Sequence, residues 1–321
     1  AKQIYQWLHQ KQVTEFSAMT NLSAALRGKL EEKAVIAPVS TVTRLDSHLD
    51  ETRKFLFSLA DGNCVETVWM EYNHGPSLCI STQVGCRQGC RFCASTLGGL
   101  VRSLTAGEML GEIYEAQRQM GKTISSLVLM GIGEPLDNFE NVMDFLEILS
   151  SPQGQNLSLR HVSLSTCGLV PEIRRLMERK LGLTLSISLH AADNETRDQI
   201  MPVNRRYPIE ELMAVCREYF AVTGRRISYE YALIAGVNDD MDHADELAAL
   251  LRGQNCHVNL IPVNPVKERD TKRSSRQQIQ RFVERLEQRG LNATVRRELG
   301  SDIDASCGQL RREHVSQSQQ E

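Results

Sequence analysis

Cys86, Cys90 and Cys93 stand in one short segment, "CISTQVGCRQGCRFCASTLGG", with CxxxCxxC spacing between an apolar run and a glycine-rich stretch. Three thiolates so close in sequence form a soft, anionic donor set suited to zinc or to iron–sulfur chemistry. A closed zinc site takes four protein ligands, usually as two short pairs, and this chain has no second CxxC and no HxxxH to supply the other half. The count points to an open coordination position. The other reading is a zinc knuckle completed by a distant cysteine or histidine.

These residues need a scaffold, and the chain repeats a rhythm of apolar strand, short loop and amphipathic helix. "PSLCIST", "ISSLVLM", "RHVSLST", "LTLSISL", "RISYEYALI" and "CHVNLIP" each precede a helical segment, which predicts a six-stranded parallel sheet covered by helices. Thr105 and Glu108 form a capping-box pattern, Pro171 and Pro208 suit first-turn positions, and Gly121 suits a helix stop. In such sheets chemistry collects at the carboxyl ends of the strands. The segments there, including "QVGCRQGCRFC", "GIGEPLDN" and "HAADNE", hold most of the domain's glycines, prolines and unusual polar residues. Before this core, residues 1 to about 45 read as helical and amphipathic, and 50–82 as short strands with turns at "DGN" and "NHGP".

With 321 residues and 41% apolar composition, the chain can hold one large α/β domain plus a small appendage. No apolar run approaches the ~20 residues that cross a bilayer. The opening "AKQIYQWLHQ" lacks the basic-then-apolar plan of a secretory signal, so no membrane association and a cytoplasmic location are expected. Nine clustered cysteines argue for metal or redox chemistry in a reducing compartment over a disulfide framework. A net charge of −3 gives no global sign of nucleic-acid binding, so any phosphate contact must come from local basic patches.

The CxxxCxxC motif after a first strand, followed by strand–helix repeats, resembles the radical S-adenosylmethionine (SAM) superfamily. The ordered segments "CISTQVGCRQGCRFCASTLGGL", "MGIGEPLDN", "RHVSLSTCGLVP", "SISLHA", "MPVN", "CHVNLIPVNP" and "GSDIDASCGQL" are similar to the RlmN-type adenine-C2 methyltransferases of ribosomal and transfer RNA, relatives of the Cfr-type C8 enzymes. The resemblance covers nearly the whole chain. It implies a partial (βα)6 TIM-type barrel at 76–298, a small helical N-terminal domain at 1–48, a β linker at 49–75 and a C-terminal segment at 299–321. It implies that Cys86, Cys90 and Cys93 hold a [4Fe-4S] cluster whose fourth iron binds SAM.

Two SAM molecules are then consumed per turnover. Cys307 matches the methyl carrier, and Cys79 matches the cysteine that frees the RNA adduct by a transient disulfide with Cys307. Read without the resemblance, Cys79 is a small buried strand residue. Cys307 lies in a segment too polar to be core, where Asp302 and Asp304 would raise its pKa if close. Glu66 in "CVETVW" matches the proton acceptor. Apolar neighbours would raise its pKa toward neutrality, although a solvated strand glutamate is the plainer reading. Gly133, Glu134, Ser165, Ser188, Leu189, His190 and Asn264 match SAM contacts, each with an alternative reading as a strand-end residue that satisfies local backbone groups. His190 is given a binding role and not an acid–base one. Cys216 and Cys256 read as core, Cys167 as a tolerated change from the family's usual serine, and Cys64 as a possible border of the site.

Expected partners are 23S rRNA at the peptidyl transferase centre, transfer RNA at the anticodon loop, and a flavodoxin-like or ferredoxin-like electron donor, with the chain a monomer. Basic groups at Arg225 and Arg226, in "KERDTKRSSRQQ", at Arg296 and Arg297, and at Arg311 and Arg312 are candidate RNA contacts or solvated faces. C2 is favoured over C8 because "MGIGEPLDN" keeps the proline that typical C8 enzymes replace. The rivals are a Cfr-type C8 enzyme conferring ribosomal antibiotic resistance, a sulfur-inserting or peptide-modifying radical SAM enzyme, and a non-enzymatic RNA-binding protein with a structural metal.

Overall fold

The computed structural model describes residues 1–36, 39–264, 266, 268–303 and 305. At the N-terminus α1 (Lys2–His9) and α2 (Ala24–Lys33) gather around a small apolar cluster of Phe16, Met19 and Leu22. Ser23 caps α2 by accepting from the Leu26 amide. This unit meets the rest of the chain through polar contacts, among them His9 Nδ1 to Tyr114 Oη at 2.9 Å and Gln12 Nε2 to Gln155 Oε1 at 3.0 Å.

The next strands are β1 (Ser40–Asp46), β2 (Arg53–Ser58), β3 (Cys64–Tyr72) and β4 (Gly75–Cys79), and they pair antiparallel in sequence order. The helical reading of residues 1 to 45 therefore ends too late. "STVTRLD" alternates between exposed and partly buried positions as an edge strand does. The segment read as a linker instead widens the main sheet.

Two short strands, β5 (Gln83–Gly85) and β6 (Leu100–Ser103), form a separate hairpin that brackets the three cysteines. The chain continues through α3 (Ala106–Met120), β7 (Ser126–Leu129), α4 (Phe139–Ser150), β8 (Val162–Thr166), α5 (Val170–Glu178), β9 (Thr184–Ser188), α6 (Asn194–Ile200), α7 (Ile209–Thr223), β10 (Ile227–Leu233), α8 (Met241–Leu250), β11 (Cys256–Pro262), α9 (Arg276–Gln288) and β12 (Ala293–Val295). The sheet order is β1-β2-β3-β4-β7-β8-β9-β10-β11-β12, parallel from β4 onward. The six predicted parallel strands are present in the predicted order, and β12 adds a seventh beyond them.

The capping box at Thr105 and Glu108 closes α3, and Gly121 ends it in the left-handed conformation. Pro171 lies in the first turn of α5, whereas Pro208 stands one residue earlier than expected, at the N-cap of α7. On β10 the alternation is sharp. Tyr229, Tyr231 and Leu233 enter the core under the helices, and Glu230 and Ala232 take the opposite face with the cavity. A buried core on one face and polar groups on the other is what builds a site inside the curved sheet.

Candidate active site and metal centre

The carboxyl ends of the central strands enclose a cavity of about 480 Å³, within the ~300–1,000 Å³ typical of ligand sites. Its wall brings together Cys79, Cys86, Cys90, Cys93, Gly133, Glu134, Ser165, Ser188, His190 and Asn264. Residues separated by more than a hundred positions converge because they lie at or just past the carboxyl ends of neighbouring strands. Leu189 is fully buried in the core and outside this wall. Cys307, Asp304, Arg311 and Arg312 lie outside the described residues.

The cysteine loop is pinned at both ends. The Cys86 amide donates to Gly99 O at 3.0 Å, and a side chain at Gly85 would collide with that same carbonyl, so the entry must be glycine. Thr96 Oγ1 lies 3.0 Å from both the Cys90 and Cys93 carbonyls. Burial pushes the Cys86 thiol up to about 12, and it pushes Cys90 up as well, with each thiolate and Glu134 adding repulsion. Without a counter-charge these two buried thiols resist deprotonation. A positive metal centre removes that resistance, because a coordinated thiol is deprotonated. Among the described residues no three His, Cys, Asp or Glu side chains converge into a nest for a single ion. Cys86, Cys90 and Cys93 all line the cavity. The set fits a cluster held by three cysteines, with room in the cavity for a non-protein ligand.

Glu134 is buried beside this loop. Its amide donates to Gln83 Oε1 at 3.0 Å, while its carboxylate accepts from the Leu136 amide at 3.1 Å and from the Cys167 amide at 2.8 Å. Burial raises its pKa against these bonds. The Thr166 hydroxyl and the Cys167 thiol are hydrogen-bonded to the same carboxylate. Both glycines of "GIGE" are dictated by close backbone approach. A Cβ at Gly131 would lie 2.5 Å from Ile80 O, and one at Gly133, where φ is 112°, would lie 2.8 Å from Gln83 N.

Ser165 and Ser188 on adjacent strands place their hydroxyls 3.3 Å apart. His190 sits at a φ of 59°, and its Nδ1 accepts from the Ala232 amide at 2.9 Å. The neutral ring therefore carries its proton on Nε2. Burial and the nearby Arg197 charge hold its pKa down to about 3, which suits binding and not proton transfer near neutrality. Because the unfolded chain takes up this proton near the ordinary value of ~6.5 and the folded one only near 3, acid favours unfolding. This group should cost the fold up to about 1.4 kcal/mol per pH unit as pH falls through that window. Above it the effect should vanish. Urea titrations at several pH values should show a shallower acid slope for His190→Gln than for the parent chain.

Three buried groups were missed from the sequence. Arg197 donates from Nε to Leu189 O at 2.9 Å, and from Nη2 to Cys167 O at 2.8 Å and Ser188 O at 3.2 Å, tying together the ends of two strands. Glu230 lines the cavity and accepts from Asn259 Nδ2 at 2.6 Å and Ser228 Oγ at 3.1 Å. The polar position in "ISYEYAL" was its only signal. Lys54 is fully buried with its Nζ 3.1 Å from Glu66 Oε2. Glu66 thus faces an ammonium in place of the purely apolar surroundings expected for it. It shares a strand face with Val68 and Met70, yet stands outside the cavity wall.

Cys79 is buried in a cluster with Val68 and Met70, against which Leu299 and Ala305 pack. No disulfide joins two described cysteines. Cys216 is buried in the core as expected and Cys256 packs partly buried against it, whereas Cys64 is buried outside the cavity wall; Cys167 adds its backbone to the Glu134 turn. Of the basic groups, Arg296 and Arg297 reach the cavity rim. Arg225 is a structural strap to Leu183 O at 2.7 Å, which accounts for that arginine without RNA. No helix among the described residues is long and apolar enough to cross a membrane.

A parallel sheet with three cysteines in the loop after its first parallel strand, facing a cavity at the strand ends, defines a radical SAM protein. The sequence profile of the Radical SAM superfamily matches residues 80–248, and that of the ribosomal RNA large subunit methyltransferase N-terminal domain matches residues 1–36. A protein of Lachnoclostridium phytofermentans described as a probable dual-specificity RNA methyltransferase RlmN is 53% identical over 99% of this chain and 89% of its own. A like-named protein of Pelotomaculum thermopropionicum is also 53% identical, over 97% of this chain and 85% of its own. The crystal structure of a radical SAM methyltransferase from Sphaerobacter thermophilus superposes with a TM-score of 0.92 at 44% identity, covering 96% of this chain and 91% of that one. The chain belongs to the RlmN family.

Proposed function

We propose that this chain methylates C2 of an adenosine in 23S rRNA, at the peptidyl transferase centre, and of one in transfer RNA anticodon loops, using two SAM molecules per turnover. The observation that carries the reading is the meeting of the three-cysteine loop and Cys79 on one cavity, which Leu299 and Ala305 also line. Ala305 stands two residues before Cys307 in the sequence. When bound, the cluster and SAM supply one-electron bond cleavage and a carbon-centred radical, which an electron-poor adenine carbon requires.

In this reading Cys307 carries the methyl group to the base, and Cys79 attacks to release the product. Glu66 takes the C2 proton. Glu134, Ser165, Ser188, His190 and Asn264 bind SAM through hydrogen bonds with no proton transfer, in keeping with a histidine held neutral. Arg296 and Arg297 at the cavity rim meet RNA phosphates, and the target base swings out of its stack to reach the thiols. Among the sequence features, Pro135 in "GEP" supports C2 over C8.

The test is anaerobic reconstitution with iron and sulfide, turnover with SAM, a reductant and an RNA fragment, then nucleoside mass spectrometry. 2-Methyladenosine is the expected product. 8-Methyladenosine would overturn the position, and a colourless zinc protein that leaves SAM intact would overturn the chemistry.

A further inference from the structure

Arg197 is a guanidinium with no exposed surface, and every partner it has among the described residues is neutral. Three are the carbonyls of Leu189, Cys167 and Ser188, and the fourth is Asn204 Oδ1, 3.0 Å from Nη1. The carboxylates in this network are one step removed: Asn204 Nδ2 donates to Asp198 Oδ1 at 2.7 Å, and the Cys167 amide donates to Glu134 Oε2 at 2.8 Å. A buried charge without an adjacent counter-ion is costly, by several kcal/mol even after relaxation. Such a cation persists where an anion completes it.

The anion is close at hand. Cys167, whose carbonyl Arg197 holds, belongs to a buried cluster against which Cys90 packs. The cysteine loop is also tied to the helix that carries Arg197, since the Arg91 amide, between Cys90 and Cys93, donates to Ile200 O at 2.9 Å. Three cysteine thiolates around a [4Fe-4S] core carry net negative charge, and each added electron makes it more negative. We propose that Arg197 is the built-in counter-charge of the cysteine-held cluster and sets its reduction potential. The inference rests on the cluster and is independent of the RNA substrate and of the methylated position.

The sign follows from electrostatics. A fixed positive charge stabilises the reduced cluster more than the oxidised one, so it makes reduction easier. Weakening that charge should lower the midpoint potential and leave a smaller reduced fraction at any fixed potential.

The test is a redox titration of the reconstituted protein without RNA, followed by electron paramagnetic resonance of the reduced cluster. In Arg197→Gln the reduced-to-oxidised ratio at a fixed potential should fall about tenfold, which is about 59 mV for a one-electron couple. Arg197→Lys keeps the charge but loses part of the hydrogen-bond fork, and it should stay close to the parent. Should Arg197→Gln fail to fold, the paired change Asn204→Asp with Asp198→Asn moves the carboxylate against the guanidinium at constant net charge. It should lower the ratio in the same direction. Equal shifts in the Lys and Gln variants, or an unchanged potential in the paired variant, would overturn the proposal and leave Arg197 a structural tie. A parent chain that binds iron and titrates normally but makes no methyladenosine would sink the proposed function and leave this inference standing. One that binds no iron would end both.

Discussion

Alanine in place of Cys79 should stop the enzyme after a single pass, with the chain left covalently attached to its RNA. If Cys307 delivers the carbon, the intermediate joins protein to base, and its release needs a second thiol to attack the Cys307 sulfur, so that an S–S bond forms while the S–C bond breaks and its electron pair leaves with the base. Cys79 is buried in the patch against which Leu299 and Ala305 pack, on the segment leading to Cys307, so the attacking thiol already lines the cavity. Removing its sulfur should cost the fold only about 1 kcal/mol. The expected result is about one equivalent of adduct per enzyme, seen as a retarded, nuclease-sensitive band on a denaturing gel. Cys307→Ala should give neither adduct nor product. A Cys79→Ala enzyme that turns over normally would remove Cys79 from the mechanism. A radical SAM enzyme with another task would form no adduct in either variant.

The largest effect on stability is expected from Lys54→Met. Lys54 and Glu66 are both buried, Nζ lies 3.1 Å from Oε2, and the pair bridges neighbouring strands whose registers set Lys54 against Val68 and Leu56 against Glu66. Breaking such a pair from one side strands the other charge, typically at about 3–5 kcal/mol. Replacing both partners, as in Lys54→Met with Glu66→Leu, should recover most of the loss, because two apolar side chains need no counter-charge. Denaturant unfolding of the parent, the single and the double variant measures the coupling directly. A single variant as stable as the parent would show that the pair contributes nothing. The double variant also isolates chemistry: if it folds well and forms an adduct that never resolves to product, the missing function is the carboxylate's.

Much of the architecture could be read from local pattern alone. Six parallel strands, the Thr105 cap and the Gly121 stop follow from alternation, hydrogen-bonding side chains and the conformational freedom of glycine, all of which act over a few residues. Where the reading went astray, the competing influence was tertiary. "STVTRLD" is a strand because β2 offers it an edge, although its flanking sequence looks helical. Pro208 caps α7 from outside and does not begin it.

For the site, sequence by itself determined the inventory: three cysteines spaced as an incomplete metal-ligand set, glycines that let backbones touch at "GIGE", and polar residues at strand ends. Spacing along the chain carries that information, because metal ligands and turn glycines act through their immediate neighbours. Only the tertiary structure decided the electrical setting of those groups. It supplied Lys54 for Glu66, it enclosed Arg197 among neutral acceptors beside the cysteines, and it held His190 neutral. Charges interact through space and through burial, and which charge meets which is fixed when distant strands are brought side by side.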